Sequence, residues 1–345
     1  MAGYFFRRLL LIIPTFIGIT IITFFILQIV PGGPLENDLI KLRFGQQSGM
    51  ETGSNVASAK YGVMIPEASL KEMKEFYGYD KPVIERYWLW LKNLLTLNLG
   101  KSYVYQEPVW DVIASKFNVS IYFGLISFTL TYLICIPLGI AKAVKNGTNF
   151  DFISSGLVFL GYSVPGWACG AFLLISFGGG SFWNLFPLGG FRSDNFESLT
   201  FFQQVYDQFI HTILPLISYL IGSFATLTIL TKNSVIENLS QDYVKTAYAK
   251  GLSSKQVILK HVFRNSLIPI ATGLGHFLSI IIAGSFLIEK IFNLQGIGLL
   301  GYNSIINRDY PVSLGILVIT SLLLLIGNIL SDVIYVFVDP RIRFK

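Results

Sequence analysis

A chain of 345 residues that is 52% hydrophobic and only 13% charged, with a mean hydropathy of +0.59, falls outside the range of soluble globular proteins and reads as membrane-embedded. The net charge of +6 is no argument for nucleic acid, because Lys and Arg also collect in the cytoplasmic loops of membrane proteins. Cys135 and Cys169 lie in long apolar runs and read as small buried hydrophobes, not as a disulfide or a metal pair.

Arg7 and Arg8 precede an uncharged run over residues 9–30. A secretory signal has an apolar region of about 7–15 residues, whereas about 20 are needed to cross a hydrocarbon core about 30 Å thick, so the run is expected to be a retained first span. Further runs at 121–141, 153–177, 213–230, 267–288 and 312–338 predict an all-α polytopic membrane protein with six transmembrane helices. Pro14, Pro137, Pro165 and Pro215 fall within or near these spans and predict kinks, not breaks. One side's short segments carry thirteen basic residues: Arg7, Arg8, Lys142, Lys145, six between Lys232 and Arg264, then Arg341, Arg343 and Lys345. The other side carries Arg192, Lys290 and Arg308, which places both termini in the cytoplasm. The chain then divides into the N-terminus and first span (1–30), an extracytoplasmic segment (31–118) and a membrane core (119–345) with a cytoplasmic loop at 232–266.

The extracytoplasmic segment holds ten basic and ten acidic residues. Residues 45–63, rich in Gly, Ser and Asn, read as a loose loop, whereas 67–97 has helical spacing with Tyr87, Leu91 and Leu94 on one face. A small helical cap is expected there. Leu99-Gly100-Lys101-Ser102 ends like a phosphate-binding loop, but the glycine required five positions before Gly100 is Leu95, and no strand precedes it. No GxSxG or HExxH occurs and the three histidines are far apart, so no catalytic residue, metal site or bound cofactor is expected on this chain.

Gly166 and Gly170 form a small-xxx-small face suited to helix packing. Between spans four and five, residues 242–269 read as two short amphipathic helices. Val244, Ala247 and Tyr248 fall at i, i+3 and i+4, Gly251 supplies a stop, and Ser253 with Gln256 forms a capping box. Val257, Ile258, His261 and Val262 make the less polar face of the second helix. Such a pair suits either docking of a partner or simple contact with lipid head groups. His276 in span five reads as a packed neutral residue. Glu289, following that span, either faces substrate or serves packing beside Phe292, Gly296 and Gly298. Asp332 is the residue expected to be ionised within a span, at a cost of about 2.5–3.5 kcal/mol at a helix centre, so it should face protein or water.

Tyr243, Val244, Thr246, Ala247, Ala249, Lys250, Gly251, His261, Arg264, Asn265 and Pro269 resemble the cytoplasmic signature of permease subunits in peptide-type ATP-binding-cassette importers. Arg7-Arg8-Leu9 with Pro14-Thr15, Asp80-Lys81-Pro82 with Leu99-Gly100-Lys101-Ser102, and Asp339-Pro340-Arg341-Ile342-Arg343 extend the resemblance over nearly the whole chain. It implies a type I importer permease fold in the bacterial cytoplasmic membrane, with residues 243–251 as a coupling helix received by a groove in a separate ATPase. Leu252 closes that docking set. It also implies an outward-facing gate region at Glu289, Phe292, Gly296 and Gly298; Asp332, from its position alone, reads either as a hydrogen bond or ion pair fixing span six near the cytoplasmic side or as a residue of the path or of signalling to the ATPase. The implied partners are a second, homologous permease, two ATPase subunits or domains that bind ATP and Mg, and an extracytoplasmic solute-binding protein that delivers a peptide. The Glu-Ala-Ala start of the broader signature reads Lys245-Thr246-Ala247 here, so a salt bridge from the first position is not implied. Pro31-Gly32-Gly33-Pro34 and Asn307-Arg308-Asp309-Tyr310-Pro311 look most like the branch that imports microcin C and related oligopeptides.

Two rival classes are poorer fits. An ion-driven secondary transporter needs ionisable or unwound sites near the midplane, and the spans offer Asp332 alone. An intramembrane enzyme needs a nucleophile with a base, or a ligand cluster, and neither is found in the sequence.

Overall fold

The computed structural model describes residues 2–29, 32–36, 39, 67–180, 182–275 and 284–338. The helices are α1 (Ala2–Ile29), α2 (Glu67–Phe76), α3 (Val83–Leu95), α4 (Val109–Val144), α5 (Asn149–Ser163), α6 (Gly166–Phe177), α7 (Phe201–Leu239) and α8 (Asp242–Ala249). A short turn at Ser254–Gln256 and a π-helical segment at Val257–Val262 lead into α9 (Phe263–Gly275), followed by α10 (Phe286–Ile291), α11 (Ile297–Ile306) and α12 (Tyr310–Val338). Four of these, α1, α4, α7 and α12, are long and apolar enough to cross a membrane, and the bent pair α5–α6 makes a fifth if counted as one span. The chain is a helical, multi-pass membrane protein. In the run expected as span five, residues 276–283 and hence His276 lie outside the described residues, as do the loop at 45–63 and residues 339–345.

The helices outrun the apolar stretches that announced them. At about 1.5 Å per residue, the 36 residues of α4 and the 39 of α7 reach about 54 and 58 Å, well beyond a core about 30 Å thick. α7 begins where Thr200 N donates to Gln203 Oε1 at 3.0 Å, the reciprocal half of a capping box. Pro14, Pro137 and Pro215 stay inside their helices as expected. Pro165 does not: α5 and α6 meet at 89°. Its ring disfavours helical geometry in the preceding residue, and Val164 sits extended at φ −99°, ψ 118°.

The chain forms two compact units. The first comprises Met1–Ile13, Ser115–Leu300 and Ile319–Lys345, and the second Pro14–Ala114 and Gly301–Val318. In the first, α5, α6 and α9 all pack on α7, and Val119, Phe123, Leu214, Ile288, Phe292 and Leu294 make a buried cluster. The small-residue face of α6 is met by α7: a Cβ on Gly166 would collide with Ser218 O, and one on Gly170 would come 2.8 Å from Ser218 Oγ. One buried polar group is paired locally. Asp207 accepts from Ser193 N at 3.1 Å and from the Ser193 hydroxyl, and His211 Nδ1 lies 2.8 Å from Asp207 O.

In the second unit Phe24, Leu27, Tyr87, Tyr310 and Leu314 form the core, with Leu91 packed against it. Thr20 and Tyr87 share a hydroxyl hydrogen bond of 3.1 Å. The helical stretch read at 67–97 is two helices, because Gly78 takes φ +69° and Pro82 caps α3. Asp309, fully buried, accepts from the Ser102 hydroxyl, Tyr103 N (3.1 Å) and Val104 N (3.3 Å). The serine of the phosphate-loop look-alike is therefore committed to a structural carboxylate.

Candidate functional site

The loop after α7 builds a hairpin from local signals. Asp242 in the first turn of α8 suits the positive end of the helix dipole, and it pairs with Lys245 at 2.8 Å on the exposed surface. Val244 and Ala247, three residues apart, turn inward at 2% and 5% exposure and pack with Ala143, Val235, Val257 and Val262. Tyr243, Thr246, Tyr248, Ala249 and Lys250 are left on the exposed side. Gly251 then ends the helix at φ +81°, with its N–H on Tyr248 O (2.9 Å) and Leu252 N on Ala247 O (3.4 Å). The capping box forms: Gln256 N donates to Ser253 Oγ at 3.4 Å and Ser253 N to Gln256 Oε1 at 3.2 Å.

Of the eight residues expected to meet an ATPase, Tyr243, Thr246, Ala249, Lys250 and Gly251 are exposed, Leu252 is half-buried, and Val244 and Ala247 face the protein's own interior. The second helix differs from its expected face. Val257 and Val262 are both fully buried although five residues apart, while His261 is exposed. The i→i+5 winding of the π segment turns residues five apart to one side, which an α-helical count does not anticipate.

Beside the hairpin's inner face lies an ion cluster that the sequence does not announce. Asp151 receives Lys232 Nζ on both oxygens, at 2.8 and 2.7 Å, and lies 3.2 Å from Lys142 Nζ. Lys142 is 1% exposed and also donates to Asp151 O (3.1 Å), Ser154 Oγ (2.8 Å) and Ser155 Oγ (2.7 Å). Lys142 directly precedes Ala143 of the hairpin's buried cluster, and Lys232 precedes Val235 by three residues. These charges fall one or two residues beyond the ends of the apolar runs, where they look like loop residues in water.

The gate candidates are tightly packed. Glu289 is 1% exposed, with Oε2 accepting from Leu299 N at 2.6 Å. Glycines wall the carboxyl group: a Cβ on Gly284 would collide with Oε1, and one on Gly296 would lie 2.5 Å from Cδ. Gly298 is as constrained, since its Cβ would lie 2.9 Å from Phe286 N. Phe292 is buried in the first unit's core, and its carbonyl accepts from Gly190 N at 2.8 Å. This arrangement makes Glu289 an internal fastener. Gly296→Ala is expected to lower stability by about 1–3 kcal/mol, the usual cost of overpacking. Gly222→Ala, with nothing within 4 Å of the new carbon, is the control; thermal unfolding in detergent measures both.

Asp332, 7% exposed, is paired: Arg8 Nε lies 3.1 Å from Oδ2, and the Tyr4 hydroxyl donates to the same oxygen at 3.3 Å. The aspartate thus fastens α12 to the start of α1.

Residues 135–344 match the family described as binding-protein-dependent transport system inner membrane component. The chain is 42% identical to the peptidoglycan transport system permease protein YejB of Agrobacterium fabrum, covering 100% of this chain and 99% of that protein. It is equally 42% identical to the inner membrane ABC transporter permease protein YejB of Escherichia coli O157:H7, with 100% of each covered. Against the oligopeptide transport system permease protein AppB of Bacillus subtilis it is 31% identical, again over 100% of each. With its multi-pass helices and these matches, the chain belongs to the inner-membrane permease family of binding-protein-dependent, ATP-binding-cassette peptide transport systems.

Proposed function

We propose that this chain is one of two permease subunits of an ATP-driven importer that carries peptides across the bacterial cytoplasmic membrane. In this reading the chain has six spans and cytoplasmic termini, with the 242–269 hairpin on the side of ATP and residues 31–118 outside. The observation that carries the reading is the division of α8. Val244 and Ala247 lock it to the ends of α4 and α7, while Tyr243, Thr246, Ala249 and Lys250 stay exposed for a separate ATPase. A push on that helix is passed directly to two long helices. Partner ATPases bind ATP and Mg; this chain supplies the moving path and no hydrolysis. Residues 31–118 are the surface assigned to the solute-binding protein, and Glu289 with its glycines holds the gate segment.

Relatives named for peptidoglycan and oligopeptide transport support peptides as cargo and make cell-wall peptides the first to try. The test is uptake of labelled peptide into vesicles reconstituted with the complete transporter. Uptake is expected to require ATP, the binding protein and this chain; uptake driven by an ion gradient without ATP would replace the reading with a secondary transporter.

A further inference from the structure

The buried cluster beneath the hairpin draws on three helices of the first unit and leaves a fourth out. α4 lends Ile140 and Ala143, α7 lends Val235, Ile236 and Leu239, and α9 continues from the π segment that holds Val262. Among the described residues, α5 lends none. Its first turns instead receive the two lysines that α4 and α7 carry beside that cluster.

Lys232 Nζ donates to both carboxylate oxygens of Asp151, and Lys142 Nζ to Asp151 O, Ser154 Oγ and Ser155 Oγ, over 2.7 to 3.1 Å. Asp151 Oδ2 also accepts from Gly147 N, in the loop leading out of α4, at 3.2 Å. Charge-assisted hydrogen bonds are about twice as strong as neutral ones and strict in geometry. Packing holds this part of α5 less firmly. Ser154, Leu157 and Gly161 border an apolar hollow of about 490 Å³, lined from α4 and α7 by Leu138, Ile221 and Phe224. Atoms across a hollow are out of van der Waals reach, so such a seam passes on a displacement poorly. The close seat of Gly166 and Gly170 on Ser218 holds α6, beyond the 89° break at Pro165. The ions are the stiff tie between α5 and the helices that carry the hairpin.

We infer that Asp151 is a positioning residue for transport: through Lys142 and Lys232 it makes α5 follow α4 and α7 when a partner ATPase moves the hairpin. The inference rests on the proposed docking of an ATPase at α8. It makes the first arm of the bent span part of the moving path.

The test uses the complete transporter in lipid vesicles, with pairs of spin labels whose separation is read with and without ATP. One pair joins Phe202, at the far end of α7, to Phe152 on α5; the other joins Phe202 to Leu259 on the hairpin, all three side chains being exposed. In the wild type, ATP is expected to shift both separations. Lys232→Met keeps an unbranched side chain and removes its charge. The Leu259 shift should survive, and the Phe152 shift should shrink about fivefold or more, the lower end of usual couplings between sites. Lys232→Arg keeps the charge and a two-point contact with the carboxylate, so it should retain the Phe152 shift. Peptide uptake per ATP hydrolysed should follow the same order, low in Lys232→Met and near wild type in Lys232→Arg. If Lys232→Met lowers the unfolding temperature but leaves both shifts intact in the assembled transporter, the cluster is structural alone and the inference is overturned. A wild-type Phe152 label that stays still while Leu259 moves overturns it too. Stillness of both labels removes ATPase docking at the hairpin and the inference with it. Absence of ATP-driven peptide uptake, with both labels responding as expected, leaves the positioning role standing and removes peptides as the cargo.

Discussion

Asp151→Leu is expected to destabilise the membrane core by about 3–5 kcal/mol, the cost of stripping one partner from a buried ion pair. The wild-type cluster holds two lysines and one aspartate, a net charge of +1 shared over contacts of 2.7 to 3.2 Å. Removing the carboxylate leaves two cations facing each other, and Lys142 at 1% exposure has no route to water. Lys232→Met, by contrast, leaves a neutral Lys142–Asp151 pair and should cost less, because Lys232 retains 18% exposure. Asp151→Asn should lie between the two. Thermal unfolding of the detergent-purified transporter gives the order; Asp151→Leu melting with Lys232→Met would refute a charge-compensating role.

Two alanines two residues apart on α8 are expected to give opposite phenotypes. Ala249 is exposed, so Ala249→Trp should leave insertion and unfolding within about 0.5 kcal/mol of wild type, as surface changes usually do. If the ATPase groove receives this face, the bulky ring should weaken ATPase association about thirtyfold, the effect of losing a contact worth ~2 kcal/mol. Ala247 lies in the hairpin's buried cluster, and Ala247→Trp should dislodge the helix from Val235 and Val262 and lower unfolding stability itself. Co-purification and unfolding, measured on both variants, separate docking from folding. Lys245 stands where the broader signature carries glutamate, and its ammonium pairs with Asp242, so the proposed docking is expected to depend on the shape of the exposed face more than on that charge.

Legibility in the sequence followed the range of the forces involved. Long apolar runs announced α1, α4, α7 and α12, because crossing a membrane is a property of consecutive residues. The stop at Gly251 and the Ser253–Gln256 box were legible for the same reason, each resting on neighbours within a turn. What the sequence hid depended on distant partners. Asp151 meets Lys232 across 81 residues, and Ser102 meets Asp309 across 207. Neither carries a spacing rule. The π segment was hidden differently: Val257 and Val262 fit no α-helical stripe, and winding departs from the usual period only when packing demands it. The full break at Pro165 exceeded the expected kink because α6 turns to lay Gly166 and Gly170 against Ser218.

The docking proposed above sets a separate ATPase on the exposed face of α8. A photo-activated cross-linker at Thr246 in the assembled transporter tests it most directly, with Phe202, 84% exposed at the opposite end of α7, as the control. The expected result is an adduct between Thr246 and the ATPase whose yield changes with ATP, and none from Phe202. An ATPase adduct from Phe202 but not from Thr246 would contradict both the docking face and the orientation of the chain.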